Sequence, residues 1–173
     1  MPFGKLLAFL LLGLSSLACA GAPIQPAPPV VPQVDLDRYL GVWHEIARYP
    51  TWFQEGCHGS KADYRRGWGG QIRVLNTCRE GGPDGPLKSA WGRARVVDTT
   101  TNARLEVTFF WPFWGDYWIF ALGERYDWVV VGSPNRRFVW VLARRPRLPV
   151  ATWRHIEQRL VQLGFEPGRL IRQ

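Results

Sequence analysis

The sequence has little of what enzyme and metal sites usually require. Its 173 residues include only three His and three Cys, and His44, His58 and His155 show no metal-ligand spacing. No Gly-x-Ser-x-Gly elbow, His-Glu-x-x-His pair or phosphate-binding loop occurs. His44 precedes Glu45, but neighbours on a strand point to opposite faces and do not form a dyad. We therefore expect no catalytic residues, no metal and no cofactor.

Long hydrophobic runs are also lacking. The apolar run at residues 6–14 follows a lone charge at Lys5. It is much shorter than the about 20 residues that a membrane-spanning helix needs. Small residues come next, up to Cys19 and Ala20. This order is typical of a secretory signal peptide, so we expect residues 1–18 to be removed and the protein to leave the cytoplasm.

The residues around the expected cleavage site allow two interpretations. Ser16-Leu17-Ala18-Cys19 resembles the bacterial lipoprotein signal, in which the Cys becomes the acylated first residue. That signal usually has an aliphatic residue in the place of Ser16 and a small one in the place of Leu17. Ordinary cleavage after Ala18 or Ala20 is the alternative, because these residues fit the small-x-small rule. We favour acylation, since a free Cys at this place otherwise suits an exported chain poorly.

The segment that follows is rich in proline and carries no charge. Residues 19–34 contain Pro23, Pro26, Pro28, Pro29 and Pro32. This composition predicts a semi-extended tether. We expect residues 35–173 to form the folded domain.

Acidic residues are few: 14 against 22 basic ones, for a net charge of +8. A basic chain can bind nucleic acid. Here, however, the arginines are scattered from Arg38 to Arg172 with no run longer than two. Scattered arginines on an exported protein favour a solvated surface or attraction to anionic lipid headgroups. We expect no nucleic-acid partner.

If Cys19 is acylated or removed, two cysteines remain, Cys57 and Cys78. The strand-like segments 59–66 and 71–78 flank a glycine-rich turn, which predicts a β-hairpin. Folding that hairpin brings the cysteines nearly opposite each other, close enough for a disulfide that an exported chain can keep. A metal site that includes His58 is the weaker alternative.

Short strand-like segments fill most of the remaining chain. In the first, residues 41–49, alternation places Trp43, Glu45, Ala47 and Tyr49 on one face. The other predicted strands are 59–66, 71–78, 89–97, 104–110, 116–122, 127–132 and 137–144. Short strands at this regular spacing indicate an all-β barrel or sandwich.

One helix is predicted after the strands. Residues 148–163 place Trp153, Ile156 and Leu160 at helical spacing, and Gly164 suits the C-terminal cap. A single amphipathic helix must bury its apolar face on the outside of the sheet. Simple packing is therefore its expected role.

Three segments resemble the lipocalin family, in the family's order. Gly41-Val42-Trp43 matches the Gly-x-Trp that begins the first barrel strand. Residues 105–117, with Phe109-Phe110-Trp111-Pro112-Phe113, and residues 140–146 resemble bacterial outer-membrane lipocalins and their plant and apolipoprotein-D-like relatives. The resemblance runs from about residue 36 to 170. Residues 123–127 depart from the Thr-Asp-Tyr signature of many lipocalins, as bacterial members do.

The resemblance implies an all-β fold: an eight-stranded antiparallel up-and-down β-barrel with the helix packed outside. Gly41 would let the chain bend into the barrel floor, Trp43 would plug that floor, and Arg144 would stack on Trp43. It also implies a lipid-anchored location at the outer membrane, facing the periplasm. A soluble periplasmic or secreted form is the alternative.

A barrel of this size can hold one small ligand, and its expected lining is apolar and aromatic. The predicted ligand-binding residues are Glu45, Ala62, Tyr64, Val74, Val107, Phe109, Tyr117, Ile119, Val129, Phe138 and Trp140, with Ile72, Val131 and Leu142 facing the same way. Such a lining suits an acyl chain, although part of it would fill the barrel as core. The expected function is to bind and store or transport a fatty acid, such as palmitate, or a lysophospholipid, in envelope maintenance.

Two alternatives remain. Some lipocalin-fold proteins are isomerase-like enzymes, one of them with a free Cys, but here both candidate cysteines have a better use in the hairpin. The aromatic turn at residues 111–114 is the basis of the second, a membrane contact or a homodimer, because exposed Trp and Phe favour interfaces. Core packing of this turn is equally compatible with the sequence.

Overall fold

The computed structural model describes residues 25–173. The predicted signal peptide and the predicted acylation site Cys19 lie outside the described residues. Within residues 25–173, no helix is long and apolar enough to cross a membrane.

One antiparallel sheet of nine strands forms the body of the molecule. β1 pairs with β2 on one side and with β8 on the other, so the first eight strands close a barrel. The short β9 adds to β1 beside Ala47 and Arg48. The strands are β1 Gly41–Arg48, β2 Cys57–Arg66, β3 Ile72–Glu80, β4 Leu87–Val96, β5 Arg104–Phe110, β6 Phe113–Leu122, β7 Trp128–Gly132, β8 Val139–Ala143 and β9 Ile171–Arg172. The predicted all-β barrel is confirmed, and β9 is an addition to it.

In the described part of the chain, two α-helices accompany the barrel, α1 Leu36–Tyr39 and α2 Val150–Gln162. Short 3-10 turns lie at Trp52–Gln54, Trp68–Gly70 and Pro167–Arg169. Because α1 directly precedes β1, it lies at the end of the barrel where β1 begins, which we call the closed end. The loops at residues 49–56, 81–86, 111–112 and 133–138 lie at the opposite end, which we call the open end.

Helix α2 packs on the outside of the barrel, as predicted. Its residues Trp153, Ile156 and Leu160 are buried against the outward side chains of β6, β7 and β8. Leu163 follows the helix, and Gly164 has a φ of +80°, the left-handed backbone that glycine adopts readily at a helix end. The barrel therefore has two cores, one inside it and one under α2.

The predicted alternation of β1 is wrong beyond Glu45. Trp43 lies in the interior cluster, whereas Ala47 and Tyr49 belong to the cluster under α2. The reason is a β-bulge: opposite β8, the register shifts between Glu45 and Ala47. One extra residue, Ile46, moves every later side chain of the strand to the other face.

Part of the predicted tether packs on the closed end. The Val31 amide donates to the Ile119 carbonyl at 3.0 Å, and the Val34 amide to the Thr101 carbonyl at 2.8 Å. Val34 is 1% exposed, and Val30 and Val31 contact the barrel cores. The chain is therefore held against the barrel before α1 begins.

Candidate functional site

The open end is tied by a disulfide. Cys57 on β2 and Cys78 on β3 are joined, with their Cα atoms 5.4 Å apart. The predicted disulfide is confirmed. In the register of β2 and β3, Cys57 lies opposite Glu80, so Cys78 is its diagonal neighbour across the strand pair, next to a bulge in β2. Both sulfur atoms are used in this bond, so neither is a free thiol of the kind that the enzyme alternative needs.

The closed end is sealed by Trp43 and Arg144. Trp43 is fully buried, and its indole N–H donates to the Tyr39 carbonyl at 2.8 Å. The Arg144 Cζ atom lies 3.8 Å from the centroid of the Trp43 ring, which is the contact that the resemblance implies. Arg144 also donates to the carbonyls of Arg38 at 2.7 Å and Val42 at 3.0 Å. Its partial burial lowers the pKa of this guanidinium.

Gly41 allows this closure. Its φ is +96°, a conformation that side chains other than glycine rarely adopt. A Cβ atom here would also approach Arg144 Nη1 to 3.4 Å. The Gly-x-Trp motif thus combines a bend with the residue that fills the space below it.

Three buried tyrosines form a chain of hydroxyls above the floor. Tyr64 donates to Tyr117 at 2.9 Å, and Tyr117 shares a hydrogen bond of 2.7 Å with Tyr39. Burial raises the pKa of Tyr64 to about 12 and raises the pKa of Tyr39 and Tyr117 well above their ordinary value. All three are neutral at ordinary pH and satisfy one another, so the closed half of the barrel is a packed core.

The predicted ligand-binding residues divide by depth. Six of them are at most 8% exposed and belong to the interior cluster: Ala62, Tyr64, Val74, Tyr117, Ile119 and Val129. Ile72, Val131 and Leu142 lie in the same cluster. Val107, Phe109 and Trp140 are half-buried on its edge, and the half-buried Phe138 stacks on Trp140 with ring centroids 6.0 Å apart. The second group borders the open half of the barrel.

Accessible inward positions show that this half is open. Asn76 lies opposite Ala62, so it faces the interior, and Ala90 lies opposite Asn76. Ala90 is nevertheless exposed, as is Gly115, which lies opposite Val107. Solvent therefore reaches the inner wall near the open end. The barrel is a cup whose lower half is filled.

A cluster of polar side chains around the buried Glu45 lies where β1 reaches this open half. Glu45, a predicted site residue, accepts from Gln54 Nε2 at 2.9 Å and from Gln173 Nε2 at 3.0 Å. Arg48 Nε lies 3.4 Å from Glu45 Oε1, and Arg48 Nη2 donates to the Gln54 carbonyl at 2.8 Å. Trp140 Nε1 donates to Gln54 Oε1 at 2.8 Å. Burial raises the pKa of Glu45, against the opposing effects of Gln54, Arg48 and Gln173.

Arg48 is a candidate site residue that the sequence did not predict. It lies opposite Trp140 on β8, which puts it on the inner face, and it is 4% exposed. Its Nε and Nη1 atoms make no hydrogen bond to any residue of the described chain. Simple alternation places Arg48 on the outside, and only the bulge at Ile46 turns it inward. The sequence carries no clear signal for that bulge.

Two more buried polar atoms on the neighbouring strands have no partner among residues 25–173. They are Ser60 Oγ on β2 and Asn76 Oδ1 on β3. Buried polar atoms are normally hydrogen-bonded, and an unpaired one costs about 1–3 kcal/mol, more if charged. Together with Arg48 they provide donors and acceptors on three adjacent strands. This arrangement suits the polar end of a ligand.

A cleft of about 530 Å³ lies beside Arg48 and Gln173, at the edge of this cluster. It is lined by the loop after β1, by Cys57 and His58, and by the C-terminal residues from Ile171 to Gln173, with Arg48 at its side. The cleft and the polar cluster thus lie on the same side of the open end.

Comparisons with known proteins agree with this geometry. The family model described as Lipocalin-like domain matches residues 34–173. The outer membrane lipoprotein Blc of Vibrio cholerae is 35% identical over 154 residues, which cover 88% of this chain and 88% of that protein. Blc of Escherichia coli K12 is 33% identical over 84% of each chain. Mouse apolipoprotein D is 35% identical over 82% of this chain and 77% of its own.

A solved structure with the same fold is insecticyanin from the tobacco hornworm Manduca sexta. Its TM-score is 0.68 at 19% identity, over 86% of this chain and 84% of that one. At this identity the likeness concerns the fold alone.

Proposed function

The chain belongs to the lipocalin family, and on that basis we propose that it binds a fatty acid or a lysophospholipid in the open half of its barrel. The family and the Blc relatives support the binding of a hydrophobic ligand. Those relatives are named outer membrane lipoproteins, so the predicted outer-membrane location is confirmed. Acylation of Cys19, transport or storage of the ligand and a role in envelope maintenance belong to the same proposal.

The observation that supports this ligand class best is the buried Arg48. Its Nη1 atom has no partner among residues 25–173, and its Nε atom has only Glu45 Oε1 at 3.4 Å, so both are charged donors available to a ligand on the inner face of the cup. Carboxylate and phosphate oxygens are the acceptors that a guanidinium binds in pairs. A fatty acid carries the first group and a lysophospholipid the second. Asn76 and Ser60 would accept from or donate to the rest of a polar headgroup.

The apolar part of the ligand would lie beside Val107, Phe109, Phe138 and Trp140. These side chains are half-buried, so a chain placed against them would remove apolar area from water. The packed tyrosines below them limit how deep the chain reaches. We therefore expect one acyl chain near the open end, with its headgroup at Arg48.

The test is displacement of a fluorescent fatty acid by palmitate and by lysophosphatidylcholine, with the exported protein and its Arg48→Gln variant. Loss of a charged hydrogen bond of about 1.5–3 kcal/mol predicts affinities about 10- to 100-fold weaker. Arg79→Gln, an exposed arginine at the open end, is the matched control and should bind like the wild type. No saturable binding of either lipid to the wild type would overturn the proposal, as would unchanged affinity in Arg48→Gln.

Glu45→Gln gives an independent check that does not depend on loss of function. The substitution removes the carboxylate that competes with the ligand for Arg48, and the Gln54 contact can remain. We expect tighter binding of the fatty acid and a lower midpoint of thermal unfolding, because Arg48 then lacks its partner in the empty protein. Weaker binding by Glu45→Gln would show that the headgroup does not meet Arg48.

A further inference from the structure

The outer wall of the barrel away from α2 carries an arrangement that ligand binding in the cup does not explain. Helix α2 covers β6, β7 and β8. On this side of the barrel, Trp91 of β4 is 56% exposed, and Val97, directly after β4, is 50% exposed. Several arginines and a second tryptophan lie near these two residues. We call this surface the Arg–Trp wall and define it by Arg73, Trp91, Arg93, Arg95, Arg104 and Trp114.

The strand register shows that these side chains face outward. Val74 lies opposite Gly92 and Ile72 opposite Ala94, and these residues line the interior. The residues between them, Arg73 opposite Arg93, therefore point away from the barrel. The same alternation applies to Trp91 and Arg95 on β4.

Stacking connects the arginines and the tryptophans. The Arg73 Cζ atom lies 4.8 Å from the Trp91 ring centroid, and the Arg95 Cζ atom lies 4.2 Å from that of Trp114. Toward the closed end, Arg104 lies 4.7 Å from the ring of Trp118. Arg95 also donates to Glu106 Oε2, through Nε at 2.8 Å and Nη2 at 2.6 Å. Stacking holds the guanidinium groups of Arg73 and Arg104 flat while their N–H edges stay free to donate outward.

Some of these arginines lie next to one another, so their positive charges repel. Arg65, Arg73 and Arg93 lie directly opposite one another on three neighbouring strands, and like charges in this position destabilise a sheet. Arg65 forms an ion pair with Asp63, with Arg65 Nη2 2.6 Å from Asp63 Oδ2. Neither Arg73 nor Arg93 has a carboxylate within ion-pair distance among residues 25–173. An anionic surface would remove this repulsion.

We propose that the Arg–Trp wall binds the surface of an anionic phospholipid bilayer. Tryptophan favours the interface between headgroups and acyl chains, and arginine pairs with the phosphates there. Each Lys or Arg near an anionic membrane contributes about 1 kcal/mol. The mixture of stacked indoles and free guanidinium edges matches that chemistry.

The path of the N-terminal chain is compatible with a barrel that lies with the Arg–Trp wall on the bilayer. The chain meets the barrel at the closed end, through Val31 and Val34. From Cys19 to Pro28 the chain spans at most about 30 Å, close to the about 33 Å length of β4. An anchor at Cys19 would thus let the barrel lie with its wall on the same bilayer. This step depends on the proposed acylation, whereas the charge and stacking of the wall do not.

The test is sedimentation of the exported protein carrying Cys19→Ser with vesicles, so that no lipid anchor masks the binding. Vesicles of phosphatidylcholine mixed with phosphatidylglycerol are compared with pure phosphatidylcholine. We expect binding to the anionic vesicles, weakened by high salt, and about thirtyfold weaker partition for Arg73→Gln/Arg93→Gln.

The matched control is Arg147→Gln/Arg154→Gln, which removes the same charge near and on α2. It should change the partition less than about threefold. Equal loss in both double variants, equal binding to both kinds of vesicle, or unchanged binding by Arg73→Gln/Arg93→Gln would overturn the proposal. Displacement of the fluorescent fatty acid from the same variants separates this proposal from ligand binding in the cup, which they should leave intact.

Discussion

Arginine and aromatic residues are paired throughout this protein. Among residues 25–173, eight guanidinium groups lie over aromatic rings, at distances from 3.8 Å for Arg144 over Trp43 to 5.4 Å for Arg137 over Phe138. A chain of this length would ordinarily have about two such contacts. The positive charge and the many aromatics are therefore one structural feature. At the closed end, this pairing seals the barrel. On the outer wall, it forms the Arg–Trp wall.

Because of the three buried tyrosines, the stability of the protein depends on pH in the alkaline range. The pKa of Tyr64 is raised to about 12, and those of Tyr39 and Tyr117 are raised as well, mainly by burial. The folded state thus holds these protons more strongly than the unfolded state, whose tyrosines titrate near pH 10. The stabilisation is intact below about pH 10 and is lost as the pH rises through about 12.

We predict that the free energy of unfolding falls above about pH 10, by up to about 1.4 kcal/mol per pH unit for each tyrosine. Tyr64→Phe should make the decline shallower, and urea unfolding at a series of pH values measures it. Tyr126→Phe, outside the hydroxyl chain, is the control. An equally steep decline in Tyr64→Phe would contradict the assignment.

At the scale of elements, β1 performs two tasks because of its bulge. Its first half supplies Trp43 and Glu45 to the interior, and its second half supplies Ala47 and Tyr49 to the helix interface while turning Arg48 inward. A regular strand would place Arg48 beneath α2. The bulge therefore decides whether the cup contains a positively charged side chain.

The hairpin of β2 and β3 provides a prediction about stability. The disulfide closes a loop with a sequence separation of 21, which by chain entropy stabilises the fold by about 3 kcal/mol. Cys57→Ser/Cys78→Ser should unfold at a correspondingly lower urea concentration. A reductant should lower the midpoint of the wild type and leave that of the double variant unchanged. If the variant is as stable as the oxidised wild type, the disulfide has no such role.

At the scale of the whole molecule, the two ends of the barrel differ. The closed end is filled by packed side chains, whereas the open end carries exposed aromatic residues. Phe110 and Trp111 are each 80% exposed, and Phe113 is 77% exposed. A cluster of this kind favours contact with another apolar surface. The predicted homodimer would bury it.

We predict that Trp111→Ser/Phe113→Ser reduces self-association in sedimentation velocity runs over a range of concentrations. The reason is the loss of apolar area that a dimer would remove from water. Trp68→Ser is the control, because Trp68 is 96% exposed at the closed end. A wild type that stays monomeric at every concentration would rule out the homodimer.

Several features follow from the residues alone, since they depend on local patterns. Period-two alternation locates the eight barrel strands, and period-three-to-four spacing locates α2, because the regularly spaced hydrophobic side chains of a strand or helix face a core. The Gly41-x-Trp43 motif and the two cysteines likewise carry their meaning in the sequence. The same patterns do not distinguish cup lining from filled core, because both are apolar.

The sequence by itself determined the eight strands, the external helix and the hairpin disulfide, and its resemblance to lipocalins favoured a barrel over a sandwich. The tertiary structure decided which half of the barrel is filled, because the tyrosine hydroxyls find one another only across β2, β6 and α1. It also decided the direction of Arg48, since one extra residue in β1 reverses the faces of the strand. It set arginine opposite arginine on the outer wall. Each of these depends on how strands pair at a distance, which local patterning does not encode.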